Sequence, residues 1–158
     1  MTLRKSLTMA FVLSLALASA MSAKPNFTGN WKLNAQKSDY GPMPAPESSV
    51  LKIDHNDPEI KVSANTSTQM GDMSFEAKYT TDGKENTNNM GPMVVKTTST
   101  WDGEALVQSG KMDFDGNEIT MKGKWTLSED GKTMTQASHV TSPQGEFDMK
   151  AVYEKQAK

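Results

Sequence analysis

Thr97, Gln108 and Gln136 are polar residues set among apolar ones at a spacing of two. That arrangement suits the wall of a binding cavity better than a catalytic centre. In an extended strand every second side chain points the same way. If Trp101 faces inward, then so do Thr97 and Ser99. If Leu106 and Met112 face inward, so does Gln108, and Met134 and Val140 bring Gln136 and Ser138 with them. Met121 and Trp125 share one face with Leu127, as Phe147 and Tyr153 do with Met149 and Ala151. Ligand cavities have this composition, mostly apolar with a few groups that orient the guest. The candidate ligand-binding residues are therefore Trp101, Thr97, Gln108, Met121, Trp125, Gln136, Phe147 and Tyr153. A second reading stays open, in which the polar residues bond one another or buried water.

Catalytic and metal chemistry have little support. The chain has no cysteine, which removes thiolate nucleophiles, thiolate metal sites and disulfides. Its histidines, His55 and His139, lie far apart in sequence with no second ligand at metal spacing, a poor basis for zinc or haem. His55 is expected at the surface of a hairpin turn and His139 on an outward face. Ser138-His139 lacks the nucleophile elbow and carboxylate spacing of a triad. Met70-x-x-Met73 and Met90-x-x-Met93 resemble thioether copper(I) pairs, but both flank turns and neither has a histidine nearby to complete the set. The expectation is a protein with no catalytic residues, no metal and no cofactor.

Residues 1–23 read as a secretory signal: Arg4 and Lys5, an apolar run from Leu7 to Leu17, then small residues allowing cleavage after Ala20 or Ala23. The apolar run is too short to span a bilayer comfortably, and without cysteine there is no thiol to acylate. The expected location is the periplasm or outside the cell, with no membrane anchor. Residues 24–158 then form one domain of ordinary size. All its cations are lysine. Arginine is the preferred clamp for phosphates and for stacking on bases, so its absence from an acidic chain weighs against nucleic-acid binding.

The elements that must position these residues are strands. Met73, Phe75, Ala77 and Tyr79 alternate with Ser74, Glu76 and Lys78, and similar runs recur to the end of the chain. Asp82-Gly83, Asp102-Gly103, Asp115-Gly116 and Asp130-Gly131 are hairpin-turn pairs. The pattern predicts nine or ten strands near 27–34, 48–54, 59–67, 73–80, 85–90, 92–101, 104–113, 117–127, 132–141 and 145–154. Asn86, Asn88 and Asn89 make the strand at 85–90 the weakest of these. Residues 35–46, with Pro42, Pro44 and Pro46, read as a loop and not a helical lid. Strands with one apolar face and short connections favour an all-β, single antiparallel up-and-down barrel of about 8–10 strands, which removes exposed edges. A two-layer sandwich is the alternative.

Gly29-x-Trp31-Lys32-Leu33 followed by Tyr40 resembles the opening of the calycins, the lipocalins and fatty-acid-binding proteins. Trp101-Asp102-Gly103 and Val152-Tyr153-Glu154-Lys155 are similar to segments of the fatty-acid-binding branch. The resemblance implies that Gly29 and Trp31 form a structural plug at the closed end of the barrel. It also implies a binding role, with an exported bacterial lipocalin-like protein as the nearer comparison. The match departs in two places. The helical lid of the fatty-acid-binding branch is absent, and Ala151 stands where that branch carries the arginine of an Arg-x-Tyr carboxylate clamp, leaving Tyr153 alone. These readings together predict a monomeric, exported, non-enzymatic binder of a small apolar or amphipathic, lipid-like molecule. The alternative is a filled barrel of the cell envelope that acts through its surface.

Overall fold

The computed structural model describes residues 23–157; the expected signal at 1–23 lies outside the described residues apart from Ala23. Ten strands run in chain order: β1 Gly29–Leu33, β2 Ser48–Asn56, β3 Glu59–Thr68, β4 Gly71–Thr80, β5 Asn86–Met90, β6 Met93–Asp102, β7 Ala105–Phe114, β8 Asn117–Leu127, β9 Thr133–Ser142 and β10 Gly145–Lys155. Every pairing is antiparallel, in the order β4-β3-β2-β1-β10-β9-β8-β7-β6-β5. Each strand pairs with its neighbour in sequence, except that β1 joins β10 and a seam lies between β4 and β5. The result is a nearly closed up-and-down barrel.

Alternation fixes which face is inside. Along β2, Ser49, Leu51, Ile53 and His55 are buried while Ser48, Val50, Lys52, Asp54 and Asn56 are exposed. A register slip of one residue would send the whole apolar set into water. At the β7–β8 turn both Asp115 and Gly116 take positive φ, 51° and 78°, the conformation whose twist suits a two-residue hairpin. Gly123 serves a different purpose. A Cβ there would collide with the Ala137 carbonyl oxygen, so β8 and β9 pack this closely because residue 123 has no side chain.

The seam between β4 and β5 is closed by side chains. Asn88 receives the Lys78 backbone N–H on Oδ1 at 2.7 Å and donates from Nδ2 to the Lys78 carbonyl at 2.9 Å. Asn86 Oδ1 accepts the Thr80 N–H at 2.6 Å. A primary amide carries the same donor and acceptor as a peptide group, so these asparagines complete the ladder where backbone pairing stops. Asn88→Ala should cost about 1–3 kcal/mol, since it strands a backbone donor and acceptor at a buried position. The check is hydrogen exchange, where the Lys78 amide should exchange at least about tenfold faster.

One short 3-10 turn, Ala35–Lys37, is the only helical element among the described residues. Asn34 caps it, and Asp39 then bridges back to Lys150 of β10. The proline-containing segment that follows reaches β3 through Glu47 N–H to the Ser67 carbonyl at 2.9 Å. No helical lid forms, as the prolines require.

Candidate functional site

The closed end is built around the short segment before β1. Phe27 and Trp31 are both 0 % exposed, and the Trp31 indole N–H donates to the Phe27 carbonyl at 2.9 Å. Lys155 places its ammonium 5.3 Å from the centre of the Trp31 ring, within cation–π range. Trp31 is thus a fully buried core residue, its N–H satisfied as a buried indole requires.

His55 departs from its expected place. The β2 strand continues through it to Asn56, and the ring is buried, not exposed in a turn. Its Nδ1 accepts the Phe27 N–H at 3.2 Å, which assigns the ring proton to Nε2. Nε2 faces Asp57 Oδ1 at 3.5 Å, the outer limit of hydrogen bonding. Thr28 receives the His55 N–H on Oγ1 and donates to its carbonyl, so both backbone groups of this residue are tied to the leading segment. The rings of Phe27, His55 and Trp101 stack with centroids 5.7 to 6.1 Å apart. Sequence reading missed this cluster because its contacts join residues nearly thirty positions apart. The one available signal was strict alternation, which carries past Asp54 to His55.

Asp57 accepts the Thr81 hydroxyl at 2.7 Å and the Trp101 indole N–H at 3.1 Å, while His55 Nε2 stands 3.5 Å away, a buried donor without a hydrogen-bond partner among the described residues. The Thr81 hydroxyl does most to hold its carboxyl below the usual aspartate range; burial pulls the other way, and Trp101, His55 and Lys24 add further lowering. A depressed value means that ionised Asp57 stabilises the fold above pH 4 or so, and that this contribution disappears as pH falls through the lower folded value. Because its side chain is 44 % exposed, the effect is modest. Thermal melts between pH 5 and 2 should show Asp57→Asn less stable than the parent at pH 5, with the gap narrowing toward pH 2.

The interior cavity lies farther up the barrel. Its volume is about 90 Å³, and its lining includes Tyr79, Met90, Val95, Thr97, Gln108 and Met121, with Trp125 beside Gly110 and Gly123. Adjacent strands bring these residues together: Thr97 is opposite Gly110 and Gly110 opposite Met121, while Gln108 faces Gly123. The two glycines leave the space that side chains would fill. Gln108 donates from Nε2 to Ser99 Oγ at 3.1 Å, and Tyr79 meets the edge of Trp125 with centroids 5.8 Å apart. Burial pushes the Tyr79 phenol up to about 12.

Four of the sequence-selected ligand residues, Thr97, Gln108, Met121 and Trp125, line this cavity. The other four stand elsewhere. Trp101 is in the closed-end stack, with Lys24 5.6 Å over its ring. Tyr153 is buried beside Met134 and within hydrogen-bonding reach of Ser49, and burial raises its phenol. Gln136 is opposite Trp125, and its Nε2 approaches the Met134 sulfur at 4.0 Å. Phe147 is half-buried opposite Val140.

A larger depression of about 600 Å³ is open to solvent, lined by Lys122, Lys124, His139 and Lys150 on the outer face of β8 to β10, with Asp39 and Val107 beside it. His139 sits there against Asp148 at 2.8 Å, whose carboxylate raises the imidazole above its ordinary value. This surface faces away from the barrel interior.

No protein-family model matches the sequence, and no curated protein matches it. Solved structures do resemble the fold. Secretory abundant heat soluble protein 4 from Ramazzottius varieornatus aligns with TM-score 0.55 and 17% identity, over 83% of this chain and 95% of that one. Zebrafish ileal bile acid-binding protein, in complex with cholic acid, aligns with TM-score 0.56 and 16% identity, over 82% and 98%. Another secretory abundant heat soluble protein from R. varieornatus gives TM-score 0.55 and 14% identity, over 82% and 94%. Together with ten antiparallel strands in a nearly closed meander, these likenesses show that the chain has a calycin-like fold.

Proposed function

We propose that this protein is an exported, non-enzymatic carrier that holds a small apolar or amphipathic molecule inside the barrel, residues 1–23 directing its export. The observation that carries the reading is the convergence of Thr97, Gln108, Met121 and Trp125 on one interior cavity, apolar surface with a few orienting polar groups. The zebrafish bile acid-binding protein, solved with cholic acid, offers a precedent for the barrel shape. At about 90 Å³ the cavity is well below the roughly 300 Å³ of a typical small-molecule site. A guest longer than a few atoms therefore needs the flexible side chains of Met90 and Met121 to move aside. A neutral apolar probe, N-phenyl-1-naphthylamine, should gain emission by energy transfer from the tryptophans, and Trp125→Phe, which removes the one lining the cavity, should lower that signal. No gain in probe emission at saturating protein would reject the carrier reading.

The small volume favours a second reading, a filled barrel that acts through its outer surface. In that case the probe would stay dark, while the depression around Lys122, Lys124 and Lys150 would be the surface to examine.

A further inference from the structure

The charge of the interior narrows the guest beyond apolar or amphipathic. The cavity's polar side chains are a phenol, two hydroxyls and an amide, from Tyr79, Thr97, Ser138 and Gln108. None of them carries charge. Lys124 also borders the cavity, but it alternates with inward Gly123 and Trp125 and is exposed to solvent. Among the described residues, the buried polar side chains apart from the aromatic phenols and indoles are Ser49, His55, Thr81, Asn88, Thr97 and Ser99. His55, the one ionisable group of that set, is bonded to Phe27 and stands beside Asp57 at the closed end. The described chain contains no arginine. A carboxylate moved into the cavity would lose its hydration and meet no cation, and an isolated buried charge is heavily penalised. Burial already acts this way on Tyr79, whose phenolate is disfavoured for the same reason. A hydroxyl or carbonyl, by contrast, can exchange hydrogen bonds with Gln108, whose bond to Ser99 uses one of its two amide N–H donors.

Resting on the carrier reading, we infer that the cavity takes the uncharged hydrogen-bonding end of a neutral amphiphile, an alcohol, ester or amide, and excludes the matching carboxylate. The test is calorimetric titration of the full mature protein with decan-1-ol and with decanoate at pH 8, where the acid is ionised, both as monomers in solution. The alcohol should bind at least about 100-fold more tightly than the carboxylate, a difference that an uncompensated buried charge readily produces. Gln108→Leu should weaken the alcohol about tenfold by removing its hydrogen-bonding partner. Decanoate binding as tightly as decan-1-ol, or more so, would overturn the selection for neutral ligands and leave the carrier reading standing. If neither binds and the probe also stays dark, the carrier reading falls and takes this inference with it.

Discussion

Trp31→Ala is expected to lower the unfolding free energy by about 3–5 kcal/mol, the range for emptying a large buried aromatic site. Two separate losses add up. The indole is 0 % exposed and packs in the same cluster as Leu51, Ile53 and Tyr153, so its removal leaves a cavity that surrounding strands cannot fully close. The Phe27 carbonyl also loses its donor, leaving a buried acceptor unpaired. Trp31→Phe separates the terms, because it keeps most of the ring volume and drops the N–H; it should cost about 1–3 kcal/mol. Urea denaturation with an unchanged slope is the measurement. A cost under about 1 kcal/mol for the alanine variant would refute the role of this residue as an anchor of the core.

His55→Ala should cost about 2–4 kcal/mol by the same measurement. The imidazole gives the Phe27 N–H its acceptor and forms one wall of the stack with Phe27 and Trp101. Without it, the leading segment loses its side-chain anchor in β2, and only Thr28 and Asn26 still bond to the residue-55 backbone. His139→Ala is the natural control. That ring is exposed and joined only to the surface carboxylates Asp148 and Glu146, so its loss should stay within about 0.5 kcal/mol. Similar costs for the two variants would contradict the distinction between a buried anchor and a surface ion pair.

Much of the barrel was readable because it rests on local rules. Period-two alternation and three of the Asp-Gly pairs located the strands, and the observed ends differ from the expected ones by a few residues at most; Asp82-Gly83, expected as a hairpin turn, instead joins β4 to β5 across the unpaired seam. What escaped the sequence depends on partners far along the chain. Asparagine disfavours a strand when judged by its own propensity, yet Asn86 and Asn88 help hold β5 in place because their amides replace a missing backbone ladder against β4. His55 followed the alternation of its strand, but a turn-like neighbourhood of Asn56, Asp57 and Pro58 hid it. Its partner Phe27 is 28 residues away.

The site shows the same division. Alternation put Thr97, Gln108, Met121 and Trp125 on inward faces, and the barrel's curvature gathers them. It gives no depth along the barrel axis, and depth is what sends Trp101 to the closed end while Thr97, on the same face of β6, borders the cavity. The contribution of Gly110 and Gly123 was equally hidden, since empty space is a property of neighbouring strands and not of one residue.

The most direct test of a guest inside the barrel is methyl NMR of protein labelled at methionine. On adding decan-1-ol, the methyl signals of Met90 and Met121, which line the cavity, should shift in a saturable way. Those of Met43 and Met70, which are 51% and 92% exposed, should stay put. Shifts confined to the exposed methionines, or none at all at saturating alcohol, would contradict an interior binding site.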